Sequence, residues 1–243
     1  MENTKTINIF FDYIFSNRFK KYIFFDLGSR DCLEAVEFSK KFPNAIIYSF
    51  EPNPSAISIA KQNIKNYPNI KLIEKAVSDI NGKIKFYPIN PELTNTPHDD
   101  GNIGASSIYK ASGKYPLEDY IQDEIVVESI TLESFCKENN IFSINFLWMD
   151  LQGAEYLAIK GASKSILKNI ELIHTEAENF EIYKGQHFFK DIHRLLKKNF
   201  ILLSGNTKHT YFDNFIYVNK KYFPRFFKIF IKYKINSLIK HFK

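Results

Sequence analysis

A chain of 243 residues, 44% hydrophobic and 16% aromatic, carries the apolar material for one α/β domain with decorations, which excludes a disordered or fibrous protein. The net charge of +6 is unevenly spread: eight of the 33 Lys and Arg lie in residues 220–243, which hold no Asp or Glu, leaving 25 basic against 27 acidic residues elsewhere. A body so close to neutral argues against a nucleic-acid-binding core, whose basic residues should line its cleft.

The N-terminus, Met1-Glu2-Asn3-Thr4-Lys5-Thr6, precedes a short apolar stretch broken by Asp12, with no small-residue cleavage site and no run long enough to span a membrane. Cys32 and Cys136 are the only cysteines and have neither metal nor disulfide spacing, so a reducing cytoplasm is expected. Apolar runs then alternate with helical patterns, the signature of a parallel sheet with crossover helices. The pattern predicts strands over about 22–26, 45–50, 70–76, 145–150 and 170–176, and helices over about 31–41, 53–66, 154–167 and 187–198. Phe200-Ile201-Leu202-Leu203 and Phe212 to Val218, around Ser204-Gly205-Asn206, read as a closing hairpin and bring the sheet to seven strands.

Between about 82 and 130 the rhythm breaks. Lys83 to Tyr87 and Glu124 to Glu128 alternate like edge strands, but the residues between them include Pro88, Pro91, Pro97, Gly101, Gly104, Gly113 and Pro116. So long an excursion inside a compact domain is usually functional. After Pro224 the chain becomes a basic amphipathic helix, with Phe227, Phe230, Ile231, Ile235, Leu238 and Phe242 on one face.

The informative polar residues stand where apolar runs end. Asp26-Leu27-Gly28 closes the first run and Glu51 the second, Ala76-Val77-Ser78-Asp79 the third, Asp150 the fourth and Glu176 the fifth. In a doubly wound sheet the carboxyl ends of the strands share one rim, so these residues should converge there and hold a nucleoside. Glycine at 28 should let the main chain approach the ligand where a Cβ would collide. The competing reading is that Asp26, Asp79 and Asp150 cap helices.

Phe25-Asp26-Leu27-Gly28-Ser29-Arg30-Asp31, Phe50-Glu51-Pro52-Asn53-Pro54, Lys75-Ala76-Val77-Ser78-Asp79 with Gly82, Ser129-Ile130-Thr131-Leu132-Glu133, and Trp148-Met149-Asp150-Leu151-Gln152-Gly153-Ala154-Glu155 with Lys160-Gly161-Ala162 together resemble the FkbM family of S-adenosylmethionine-dependent methyltransferases. The resemblance covers about residues 22–218. It implies a Rossmann-like class I methyltransferase fold: a seven-stranded, mostly parallel sheet with a C-terminal antiparallel hairpin, an inserted lid at about 82–130, one domain over 1–219 and a basic tail over 220–243. Cys32 departs from the glycine common at the end of the first loop. Gln152 departs from the acid usual before Gly153, which makes a divalent-metal site there less favourable, and no metal is expected.

The resemblance implies S-adenosylmethionine as cofactor. Asp26 with the main chain of Gly28 and Ser29 would face its methionine part, Arg30 or Asp31 its carboxylate or amine, Glu51 the ribose hydroxyls, and Val77 and Ser78 the adenine, with Asp79 near the exocyclic amine. Methyl transfer is an in-line displacement that needs alignment in a dry pocket. Asp150, also expected among the cofactor-binding residues, is the first candidate for the base that takes the acceptor's proton or for positioning the acceptor hydroxyl, Glu176 the second, and His187 the candidate histidine. Glu155, opening a helix, is better explained by the helix dipole.

The implied function is O-methylation of a sugar hydroxyl, in a surface polysaccharide or its nucleotide-sugar precursor, with no nucleic-acid partner. Rival readings are methylation of a small secondary metabolite, a nicotinamide-dependent oxidoreductase, and a non-catalytic binding protein. The oxidoreductase predicts Gly-x-Gly-x-x-Gly, whereas only Gly28 stands between Ile23 and Asn81. The tail either lies on the inner face of an anionic membrane or docks its apolar face on the domain or on a second copy in a homodimer.

Overall fold

The computed structural model describes residues 17–224 and residue 227. The N-terminal stretch and nearly all of the basic tail, with the expectations attached to them, lie outside the described residues.

In chain order the elements are β1 Ile23–Leu27, α1 Leu33–Lys41, β2 Ile46–Phe50, α2 Pro54–Asn63, β3 Ile70–Ile73, β4 Ala76–Val77, β5 Gly82–Phe86, a 3-10 turn Ile103–Ala105, β6 Ile125–Ile130, α3 Leu132–Glu138, β7 Ile144–Met149, α4 Glu155–Lys160, α5 Lys164–Lys168, β8 Ile170–Glu178, α6 Phe189–Leu196, β9 Phe200–Ser204 and β10 Phe212–Asn219. Seven of the strands form one sheet in the order β3-β2-β1-β7-β8-β10-β9. Its first five are parallel, and β10 runs antiparallel to both β8 and β9. This is the expected Rossmann-like architecture with its closing hairpin.

Strands buried on both faces explain the unbroken apolar runs. Along β1, Phe25 points into a layer shared with Phe135 of α3, Ala158 of α4 and Ile192 of α6. Phe24 points the other way, into a layer shared with Val36 and Phe38 of α1 and Ala60 of α2. Each fully buried ring contributes roughly 2–3 kcal/mol. The two layers clamp the central strands, so the strand tips form a rigid rim.

Local chemistry sets the helix boundaries. Asn53 caps α2 by accepting from the Ser55 amide, with Pro54 in the first turn. The single helix expected over 154–167 is two. Gly161 lies so close to the main chain of Ser78 that a Cβ would sit 2.2 Å from that carbonyl oxygen, and Ser163 caps a fresh start by accepting from the Ile166 amide.

The expected edge strands 83–87 and 124–128 do form, but not on the main sheet. β5 pairs antiparallel with β6, which pairs parallel with β4, in a separate three-stranded sheet burying Ala76, Phe86 and Val127. Between β5 and β6 the chain folds back over the rim through isolated bridges Tyr87–Ser107, Ile89–Gln122 and Asn95–Asp119, and ties to the body at Ala111–Tyr183. Among the described residues no helix is long and apolar enough to cross a membrane.

Candidate active site

Two cavities open at the carboxyl ends of β1, β2 and β7, and they share Gly28, Arg30, Gly104 and Asp150. The first is narrow. Glu51 stands at its mouth, and Val77, Phe86, Ile103, Ile108 and Leu151 supply apolar walls. Glu51 is buried at the tip of β2, where its two carboxylate oxygens accept from the amides of Arg30 at 2.8 Å and Asn53 at 2.7 Å. Each oxygen keeps a further lone pair for a ligand. Burial pushes this carboxyl up to about 7, against the pull of the two amides and of Arg30.

Gly28 is required for a different reason from the one its position suggests. Its φ is +79°, and a Cβ there would lie 1.8 Å from the carbonyl oxygen of Asp150. The collision is with the main chain just past β7, where the Asp150 amide donates to the Leu27 carbonyl at 3.0 Å, and not with a ligand. The amides of Gly28 and Ser29 both donate to the Phe50 carbonyl at 3.0 Å, so they tie the loop to β2.

Several side chains expected at the cofactor are engaged by protein partners and line neither cavity. Asp26 is buried, accepts from the Ser49 hydroxyl at 3.2 Å on one oxygen, and has no partner on the other. Burial, then Glu34, drives its carboxyl well above the usual range, and it lines neither cavity. The Ser29 hydroxyl donates to the Phe50 carbonyl and accepts from Cys32. Ser78 pairs with Ser129 at 3.0 Å, and Asp79 with Lys160 at 2.7 Å. Side chains at strand tips alternate in direction, so a run of polar residues cannot all face one cavity. Of the expected set, Gly28, Arg30, Glu51, Val77 and Asp150 line the narrow cavity, while Asp31 lines the second.

The second cavity, about 360 Å3, is roofed by the returning chain through Asn102, Ala105, Tyr115, Glu118 and Tyr120. Asp150 and Glu176 face it from the tips of β7 and β8, with Trp148 beside them. The Asp150 carboxylate accepts from the Gln152 side-chain amide at 2.6 Å, and the Gln152 carbonyl accepts from the Tyr183 hydroxyl at 2.8 Å. Gln152 holds the left-handed conformation at φ 52°, and Gly153 follows at φ 92°. The tight turn therefore folds Gln152 back onto Asp150. Burial raises the Asp150 carboxyl, while the Gln152 hydrogen bond and Arg30 oppose the rise. Glu176 has no hydrogen-bond partner for its carboxylate among the described residues, and burial followed by repulsion from Asp150 raises it well above the usual range.

His187 does not reach either cavity. It stacks on Tyr156 of α4 with ring centroids 3.7 Å apart and lies 3.9 Å from Asp191, and it lines neither cavity. His174 is stacked against Trp148 at 3.9 Å, and burial lowers it to about 3. Glu155 accepts from the Leu151 amide at 2.6 Å and closes the turn after β7, with burial raising it to about 8. No group of three or more His, Cys, Asp or Glu is placed to hold a metal among the described residues.

Sequence reasoning missed the Gln152–Tyr183 pair and the roof residues Asn102, Ala105 and Glu118. The signal for Gln152 was its place beside a strand-tip acid and before a glycine; nothing in the sequence joins it to Tyr183, 31 positions on.

The profile of the Methyltransferase FkbM domain family matches residues 26–202. A curated relative, the 2-O-methyltransferase NoeI of Sinorhizobium fredii, is 32% identical over 165 residues, which span 68% of this chain and 66% of that protein. Solved structures with a similar course include the fibrillarin pre-rRNA processing protein of Methanococcus jannaschii, at TM-score 0.48 and 11% identity, covering 84% of this chain and 68% of that one. The precorrin-6y C5,15-methyltransferase of Geobacter metallireducens aligns at TM-score 0.45 and 11% identity, covering 83% and 82%.

Proposed function

The chain belongs to the FkbM methyltransferase family, and from that premise we propose that it is an O-methyltransferase acting on a sugar hydroxyl, with S-adenosylmethionine as methyl donor. Family membership removes the nicotinamide-dependent alternative. The observation that carries the reading is the junction of the two cavities at Gly28, Arg30, Gly104 and Asp150, where a carboxylate is held by a neutral amide at 2.6 Å.

The residues present fit this cofactor. Glu51 offers the ribose hydroxyls acceptors on both oxygens, already oriented by two main-chain amides. The apolar slot between Val77, Phe86 and Ile108 suits an adenine, and Arg30 suits the methionine carboxylate. When bound, the group supplies an electrophilic methyl on a sulfonium.

Asp150 receives the acceptor hydroxyl's proton as the new oxygen–carbon bond forms. Gln152 holds the carboxylate in one orientation, and Tyr183 holds Gln152. Glu176 orients the hydroxyl from the adjacent tip. Tyr115, Tyr120 and Trp148 give the ring of a sugar flat apolar partners, and the roof excludes water. The relative is a 2-O-methyltransferase, which supports an oxygen acceptor. Two free, buried cysteines support a cytoplasmic place of action.

The test is transfer of an isotope-labelled methyl group to a panel of sugars, read by mass. A gain of one methyl that disappears in Asp150→Asn supports the reading; labelled product from non-sugar alcohols alone would overturn it.

A further inference from the structure

The acceptor cavity carries more carboxylates than the proposed chemistry uses. Asp31, Glu34, Glu118, Asp150 and Glu176 line it, against Arg30 and His98 as its basic side chains. Arg30 is paired with Asp100 of the roof and is also the side chain proposed above for the methionine carboxylate, so it is committed on both counts. Glu118 is engaged by Thr96, Asn102 and Tyr120, and Asp150 by Gln152. Glu176 remains without a donor, and Glu34 stands at the exposed rim.

A cavity so lined discriminates by charge. Uncharged ring hydroxyls, or a ring ammonium, supply the donors that Glu176 lacks. A phosphate brings negative charge beside Asp31 and Glu118 and into walls where burial already disfavours the charged forms of Asp150 and Glu176, which is how a site rejects a wrong partner. Position makes this unavoidable for an activated sugar. The first phosphate of a nucleotide sugar is bonded to the anomeric oxygen, so a ring seated with a hydroxyl at Asp150 carries that phosphate within the same walls. About 360 Å3 is room for a sugar ring and a linked neighbour.

We propose that the acceptor is a glycosidically linked, non-anionic sugar, so that methylation follows the glycosyl transfer that removes the nucleoside diphosphate. This rests on the sugar-hydroxyl reading of the same cavity. The reaction that supplies the substrate exchanges the anomeric bond to phosphate oxygen for a glycosidic bond, and the nucleoside diphosphate leaves with the electron pair. The hydroxyl then loses its proton to Asp150 as it gains the methyl.

The full chain would be given S-adenosylmethionine and the same set of common hexoses and deoxyhexoses in two forms, methyl glycoside and nucleoside-diphosphate sugar. The expected result is a kcat/KM for the glycoside at least about a hundredfold above that for the nucleotide form, the size of one uncompensated charge pair at close range. Glu34→Gln, which removes a rim charge, should narrow that ratio several-fold. Equal or faster methylation of the nucleotide form would overturn the proposal. A binding arm works without turnover: calorimetry of inorganic pyrophosphate into protein loaded with S-adenosylhomocysteine. Absence of binding at millimolar pyrophosphate is expected; binding at micromolar pyrophosphate, strengthened by Glu34→Gln, would overturn it. Were no sugar methylated in either form, the sugar reading itself would fall while the pyrophosphate arm still decided the charge selection.

Discussion

The two cavities that the proposed function assigns to cofactor and acceptor are built from different materials. The first is main chain: Glu51 is aimed by the amides of Arg30 and Asn53, and Gly28 is locked between the Phe50 and Asp150 carbonyls. The second adds to the main-chain bridges of its roof side chains reaching across long separations, such as Tyr183 hydroxyl to Ala105 carbonyl at 2.8 Å and Ser107 hydroxyl to the Gln152 main-chain carbonyl at 2.7 Å. A half held by backbone tolerates change in every side chain except the few that touch ligand. A half held by side chains can be remodelled for a new acceptor without disturbing the sheet.

The comparison breaks most visibly at the junction. Asp150→Asn should cut kcat by roughly a thousandfold, the usual worth of a positioned base, with S-adenosylhomocysteine affinity retained in calorimetry. Unchanged turnover would move the base elsewhere. Gly28→Ala forces a Cβ into the Asp150 carbonyl at a positive φ, and should cost about 3 kcal/mol or more in urea unfolding. A smaller loss would mean that β1 and β7 part easily at their tips.

Glu51 tests the cofactor half by pH. Its carboxyl lies near 7 in the free protein and must be ionised to accept both ribose hydroxyls, so binding releases a proton below that value. Affinity for S-adenosylhomocysteine should therefore hold above pH 7.5 and fall by up to tenfold per unit as pH drops toward 5. Glu51→Gln should weaken binding by about one to two orders of magnitude and flatten this dependence. Gln152→Glu tests the acceptor half, because it replaces a donor to Asp150 with a like charge. Raising Asp150 further should carry the acid limb of kcat upward by about one pH unit, with cofactor affinity little changed. His187→Ala, outside both cavities, should leave kcat/KM within about twofold.

The same contrast explains what was legible. Glu51 and Asp150 end apolar runs of the main sheet, and strand order alone delivers them to one rim, while Val77 reaches the narrow cavity from β4 of the smaller sheet. Asp26, Ser29 and Ser78 end the same runs, yet their side chains serve Ser49, Phe50 and Ser129, since a list of run-ends carries no information about which way each points. His187 was expected near substrate from its place after the fifth strand, but Tyr156 holds it on the helix layer. The alternation of 83–87 and 124–128 announced strands without saying which sheet would take them. The acceptor half was the least readable, because Gln152, Tyr183 and Ala105 meet only once the chain between β5 and β6 has folded over the rim.

Glu51 borders one of two cavities that meet at Gly28 and Asp150, and the proposed function puts the ribose at Glu51 and the reacting methyl at Asp150. A crystal structure of the full chain with S-adenosylhomocysteine tests it directly. The account predicts both ribose hydroxyls on the Glu51 carboxylate and the sulfur turned toward Asp150 across Gly28. Nucleoside bound away from Glu51, or sulfur turned from Asp150 toward the helix layer, would contradict it.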